Sequence, residues 1–139
     1  MIEAVCGFFF NSEHTQLALI RKTKPAWQRG KLNGIGGKIE PNEGRTAAMV
    51  REFREETGHD TMLTQWTRYF VLEDLANGYR VFYFRTTGDL GLLRTMEEEQ
   101  VEICNLVQLP ELPVIHNLRW LIPMALDTTF TNGRGEWVD

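Results

Sequence analysis

The chain opens on a nearly unbroken apolar run. Ile2 to Phe10, rich in Phe, has the pattern of a strand covered on both faces. Asn11-Ser12-Glu13-His14-Thr15 is a cluster of turn formers, and Gln16 to Arg21 reads as a second strand. Thr23 to Asn33 is polar and basic around a single Trp27, the pattern of an exposed loop. Glycine steps at Gly34 and Gly36-Gly37 and a turn at Pro41-Asn42-Glu43-Gly44 lead into the clearest helix. That helix is predicted over Thr46 to Thr57 and closed by Gly58, where a left-handed residue usually ends one. Thr61 to Glu73 and Tyr79 to Thr86 predict two strands, with Asn77-Gly78 as a tight hairpin signal between them. Val101 to Leu109 predicts a further strand, and Asn117 to Leu126 a closing helix that Asn117 caps. Thr128 to Asp139, polar and glycine-containing, reads as a tail that frays. The sum is an α+β chain, a mixed sheet flanked by helices, in one domain over residues 1–139.

Composition narrows the class. The 139 residues are 42% apolar and 24% charged, and two domains would leave each with about 70 residues and a meagre core. No apolar run reaches the ~20 residues of a membrane span, and the start MIEAVCGFFF lacks the basic flank and cleavage site of a secretory signal. Cys6 and Cys104 cannot build a disulfide framework, so a cytoplasmic protein with no membrane association is the expectation. Both sit in apolar strand candidates and read as inert packing. A net charge of −4 argues against a surface that coats a nucleic-acid polymer. An acidic chain still binds a phosphate-rich small molecule where a divalent cation mediates.

The helix supplies such a cation with ligands. Glu52, Glu55 and Glu56 fall at i, i+3 and i+4, on one face, with Ala47, Val50 and Phe53 expected to pack on the sheet from roughly the opposite face. Like charges at this spacing repel, and the last turn of a helix disfavours anions by a further ~0.3–1 kcal/mol. Arg51, which reaches Glu55 at i+4, relieves part of this. Carboxylates without nearby His or Cys select Mg²⁺, with Mn²⁺ as substitute, over Zn²⁺. Taken alone, the three glutamates are equally an ordinary solvated helix face.

Read together, Gly37, five residues, Glu43, seven residues and Arg51-Glu52-Phe53-Arg54-Glu55-Glu56-Thr57-Gly58-His59 form one pattern. It resembles the signature of the Nudix hydrolase superfamily, Gx5Ex7REUxEExGU with U a bulky aliphatic residue. Gly37, Glu43, Arg51, Glu52, Glu55, Glu56 and Gly58 all match, a coincidence of about 10⁻⁹ per window at average composition. Phe53 and His59 depart from the pattern at the two U positions. The resemblance implies a loop–helix–loop on an αβα sandwich that binds divalent cations against a substrate's diphosphate. It implies Glu52, Glu55, Glu56 and the Gly36 carbonyl as metal ligands, Arg51 as the group that orients the carboxylates, and Glu43 as support. The reaction implied is hydrolysis of a phosphorus–oxygen bond between two phosphates, which the metal eases by neutralising charge and activating water. Glu52 is one candidate to take the proton. Of the acidic run Glu97-Glu98-Glu99 and Glu102, Glu98 is the first choice and Glu102 the second.

Substrate must be read elsewhere. Trp27 to Gly37 resembles the approach to the box in the MutT-type branch that destroys oxidised purine nucleoside triphosphates, where an aromatic and an Asn border the base pocket. Trp27 and Asn33 match, and a planar base needs such a stacking face and such a donor–acceptor side chain. Leu112 to Pro123 resembles the segment that closes the same pocket, with Asn117 matching the residue that reads the purine edge. Lys38, beside the box glycine, joins these as a substrate-binding candidate. Lys22, Lys24, Arg29 and Lys31 either meet distal phosphates or solvate the loop, and Trp120 reads as core. The leading expectation is a Mg²⁺-dependent pyrophosphohydrolase of (d)NTPs such as 8-oxo-dGTP, a monomer or weak homodimer. The alternatives are a Nudix hydrolase of a dinucleoside polyphosphate, nucleotide sugar or capped RNA, and a non-catalytic nucleotide sensor.

Overall fold

A computed structural model describes residues 1–138. Its order is β1 (Ile2–Phe10), β2 (Gln16–Arg21), β3 (Leu32–Asn33), β4 (Ile35–Lys38), α1 (Arg45–Thr57), β5 (Thr67–Asp74), β6 (Tyr79–Thr87), β7 (Gln100–Asn105), α2 (Leu118–Leu126) and β8 (Gly133–Glu136). The strands form one mixed sheet in the order β3-β2-β1-β6-β5-β8, with β4 also pairing β1 and β7 also pairing β2. β1 lies parallel to β6 over its whole length and antiparallel to β2 and β4.

Alternation along β1 divides the core into two layers. Phe8 and Phe10 point to the face covered by Leu118, Leu121 and Ile122 of α2. Val5 and Phe9 point to the other face, against Met49 and Phe53 of α1. The fold is therefore α+β, an αβα sandwich, as the sequence predicts. Among the described residues no helix is long and apolar enough to cross a membrane.

Several expectations are corrected. Ala47 is exposed, and the buried stripe of α1 is Ala48, Met49, Phe53 and Thr57, a rotation that carries part of the acidic face inward. The strand expected over Thr61 to Glu73 begins only at Thr67, where β5 first meets β6 at Arg85. Before it, Leu63–Gln65 forms a 3-10 turn, closed where the Trp66 indole donates to Thr61 Oγ1 at 2.8 Å. The hairpin loop is four residues, Leu75 to Gly78, because Asp74 pairs with Tyr79. β7 stops at Asn105, opposite the first residue of β2, and with no partner beyond, Leu106–Glu111 turns into 3-10 helix. Gly133–Glu136, in the tail whose polarity suggests fraying, pairs parallel with β5, and Arg134 donates to Glu73. Trp120 is not fully core: it is 36% exposed and packs edge-on against Phe70.

Candidate active site

Azimuth on α1 decides which glutamates go inward. At 100° per residue Glu56 falls about 20° from Met49, on the buried stripe, and Glu55 about 120° from it. The side chain of Glu52 is accordingly 14% exposed and that of Glu55 44%. Gly58, with φ 74°, ends the helix in the left-handed conformation, its N–H donating to the Arg54 carbonyl at 2.8 Å. The two departures from the box fill one aromatic cluster: Phe53 stacks on Phe9 at 5.1 Å, and His59 packs edge-on against both.

β4 forms the facing wall. Gly36 pairs with Cys6 and Gly37 with Val5. A Cβ on Gly36 would overlap the Val5 carbonyl, and one on Gly37 would lie 2.5–2.7 Å from the carboxyl atoms of Glu52. Glycine alone lets that carboxylate lie against the strand.

Arg51 organises the box. Its Nε and Nη2 donate to the two oxygens of Glu43 at 2.7 and 2.9 Å, and Nη1 to Glu52 at 2.9 Å and Glu55 at 3.3 Å. Nη2 also reaches the Lys38 carbonyl at 3.0 Å, tying α1 to the end of β4. The paired guanidinium holds Glu43 below the usual carboxylate range. Lys38 itself is exposed.

Glu56 has no such partner. Its Oε2 is buried without a hydrogen bond. Burial first, and then the charge of Glu52, push its carboxyl up to about 8, with Lys22 opposing and Glu99 and Glu97 adding to the rise. Burial also raises Glu52, against the pull of Arg51. Among the described residues no three His, Cys, Asp or Glu side chains converge into a closed cage, since Glu55 turns toward Arg51. Mg²⁺ keeps several waters and needs only one or two carboxylates, so this open set fits it. An orphaned carboxylate oxygen beside a second carboxyl of raised pKa is a donor set that a divalent cation would complete.

The base-side candidates gather one strand away. Cys6 lies between Gly36 on β4 and Tyr83 on β6, so the two clusters adjoin across roughly 10 Å of sheet. Asn33 Oδ1 accepts from the Gly34 N–H at 2.8 Å and lies 3.9 Å from Cys6 Sγ, and its Nδ2 donates to Gln28 at 3.2 Å. Gln28 belongs to the 3-10 turn Ala26–Gln28 that carries Trp27, a residue 63% exposed. Asn117 does not cap α2: its backbone is already helical and its side chain makes no cap bond. Instead Nδ2 reaches Tyr83 Oη at 3.5 Å, and Oδ1 is buried with no partner. Burial raises the Cys6 thiol to about 12, in keeping with inert packing.

The acidic loop sorts differently from its sequence order. Glu98 is exposed. Glu102 is held by Arg21, Nε at 2.7 Å and Nη2 at 2.8 Å, on the far strand β7. Glu97, passed over in sequence, is the member of the run whose charge reaches both Glu52 and Glu56. Glu99 is turned the other way, onto Lys22, Thr23 and Lys24. Gln28 and Tyr83 escaped sequence reasoning, and Glu97 and Glu99 stood in it only as unpreferred members of the acidic run, because the tertiary fold alone brings them to the site. For Glu99 alone a signal was available, an acidic residue just ahead of β7 opposite a basic one just after β2. A separate cleft of about 630 Å³ lies at the other end of α1, lined by Gly44, Arg45, Arg68 and Phe84, and holds none of these groups.

A family model described as NUDIX domain matches residues 2–128. None of the curated proteins matches the chain. Solved structures do. One is a MutT from work on the proteins of Aliivibrio salmonicida and Vibrio cholerae, 22% identical, with a TM-score of 0.75 over 90% of this chain and 96% of that one. The MutT protein from Bacillus halodurans is 21% identical, with a TM-score of 0.75 over 98% of this chain and 88% of its own. The NUDIX domain of Shewanella oneidensis NrtR, complexed with ADP ribose, is 12% identical, with a TM-score of 0.74 over 88% of this chain and 84% of its own. At these identities the likeness is one of fold.

Proposed function

The chain belongs to the Nudix family, and from that premise we propose that it is a Mg²⁺-dependent pyrophosphohydrolase of nucleoside triphosphates, with 8-oxo-dGTP-like purines the preferred class and NMP plus pyrophosphate the products. One observation carries the reading. Among the described residues, the two buried side-chain oxygens left without a partner are Glu56 Oε2 and Asn117 Oδ1. A cation would satisfy the first, and a donor such as a base N–H the second. An unpaired buried polar atom costs ~1–3 kcal/mol, which a ligand supplying both partners recovers.

The residues divide the work. Glu56 and Glu52, with Glu55 and the Gly36 carbonyl, would hold the metal, and Mn²⁺ would substitute. Bound there, a cation would neutralise diphosphate charge and lower the pKa of an attacking water. Arg51 keeps Glu52 against Gly37 and takes the strain of three adjacent carboxylates. Asn117 and Asn33 would read the base edge, Trp27 would stack on its face, and Lys38 would meet phosphate from the rim. Glu98 would take the proton from water, with Glu97 beside it. Intact box carboxylates favour an enzyme over a sensor, and the net charge of −4 favours free nucleotides over a nucleic-acid polymer.

The same metal chemistry on another nucleoside diphosphate derivative is the second reading, favoured by the likeness to an ADP-ribose-bound domain. Purified protein with Mg²⁺ is incubated with 8-oxo-dGTP, the four dNTPs, a diadenosine polyphosphate, ADP-ribose and a nucleotide sugar at sub-saturating concentration. Initial rates then compare kcat/KM. Preference for 8-oxo-dGTP with release of pyrophosphate supports the assignment. Preference for another member keeps the metal residues and removes the base-pocket roles. Binding without any turnover puts the sensor first.

A further inference from the structure

Two loops border the site, and one carboxylate joins them. The first, residues 22–31, carries Trp27 and closes at its base where the Lys22 N–H donates to the Lys31 carbonyl and the Gly30 N–H to the Lys22 carbonyl, both at 2.8 Å. The second, residues 94–98, is tied to the end of α1, its Arg94 N–H donating to the Thr57 carbonyl at 2.9 Å and its Met96 N–H to the Glu56 carbonyl at 3.2 Å. Glu99 follows directly, and its side chain is 12% exposed.

Among the described residues, every hydrogen-bond partner of that carboxylate lies on the first loop. Oε1 accepts from Lys22 Nζ at 2.9 Å. Oε2 accepts from the Thr23 N–H at 2.6 Å, the Thr23 hydroxyl at 3.2 Å and the Lys24 N–H at 3.4 Å. The location explains the pattern. β2 and β7 end their pairing at Arg21 and Gln100, so the next residues of the first loop have no strand to bond to. A carboxylate with four acceptor sites takes the place of the missing ladder.

Resting on the nucleotide reading above, we propose that Glu99 is a positioning residue that clamps the Trp27 loop to the loop over the metal ligands, so that base-side and metal-side walls move as one unit. Ordinary surface ion pairs contribute little. This one is sheltered and charge-assisted, and it satisfies the Thr23 and Lys24 backbone donors, which have no other acceptor among the described residues. The second loop is thereby pinned at both ends, by α1 at Arg94 and Met96 and by the first loop at Glu99, and it holds Glu97 and Glu98 between the pins.

Hydrogen exchange on the whole chain, without ligand, tests the clamp directly. In E99A the amides of residues 23–31 and 94–98 are expected to exchange together, roughly tenfold faster, while β1, β6 and α1 keep their rates. Acceleration of one loop alone, or uniform loosening of the chain, overturns the proposal. E99Q keeps an acceptor for the Thr23 N–H without the ion pair, and should give the same two segments a smaller change. It also serves if E99A does not fold. A kinetic cycle of E99A and W27A with dGTP and Mg²⁺ adds a readout that a merely structural role would not move. Both variants should raise KM for dGTP, and the double variant should raise it little beyond W27A alone. Additive KM effects count against the clamp. Absence of dGTP turnover by the wild type defeats the nucleotide reading only, since the exchange result needs no substrate.

Discussion

Glu52 rests on the backbone of Gly37, in space that any side chain at position 37 would fill: a Cβ there would stand 2.5 Å from Glu52 Cδ. Gly37→Ala should therefore displace the carboxylate while leaving the sheet pairing of Gly37 with Val5 intact. A displacement of this order costs roughly 10²-fold in rate. Steady-state kinetics beside circular dichroism checks it, and a variant with wild-type kcat sinks the contact's importance.

Glu56 Oε2 is buried without a hydrogen bond, and in the proposed function a cation supplies its partner. Wild-type protein should gain thermal stability on addition of Mg²⁺ or Mn²⁺, by ~2.7 kcal/mol at a hundredfold excess over Kd. Glu56→Gln should lose most of that gain. Its metal-free form should be no less stable than the wild type, since a buried carboxyl becomes a neutral amide. Differential scanning calorimetry with and without metal reads both. A full metal shift in the variant would move the site elsewhere.

Asn117 makes no capping bond, so its removal should spare the fold and strike recognition. Asn117→Ala is expected to leave Tm within about 2 °C of wild type. It should lower kcat/KM for the preferred purine nucleotide by roughly 10- to 100-fold, as an unpaired polar edge of the base implies. Equal losses for purine and pyrimidine substrates would end its role as a base reader.

Acid stability should report a group far from the site. Arg80 Nη2 holds Glu73 at 2.9 Å, Arg134 pairs with it from β8, and the carboxyl is kept below its ordinary value of 4.5. As pH falls the unfolded chain takes up that proton first. The stabilisation is thus complete above 4.5 and is lost as pH drops through the lowered value. Glu73→Gln should flatten the acid limb of a Tm-against-pH curve. An unchanged limb would assign it to other carboxylates.

The readings that held rest on local periodicity. Phe8, Phe9 and Phe10 alternate in strand register and thereby show a sheet covered on both faces. Gly58 marks the end of α1 because the left-handed residue there is a local requirement. The readings that failed needed a partner to be known. Thr61 to Gln65 carries strand-like residues yet has nothing on β6 to pair with. Gly133–Glu136 lacks an apolar pattern yet forms a strand, because Arg134 meets Glu73 and Trp137 donates to the Glu73 carbonyl at 2.7 Å. At the site, spacing singled out Glu52, Glu55 and Glu56 together, and only the helix's packing separated the inward Glu56 from the outward Glu55.

By itself the sequence determined the α+β class, the acidic helix and its arginine, and the family. Each is carried by contacts within a few residues or by a fixed spacing along one helix. Only the tertiary structure decided that Glu56 and Asn117 keep unpaired oxygens, that Cys6 lies between Gly36 and Tyr83, and that Glu99 binds one loop to another. These depend on which strands lie side by side and on what remains of each side chain's hydrogen-bonding capacity once its neighbours are in place, and neither is encoded at any single position.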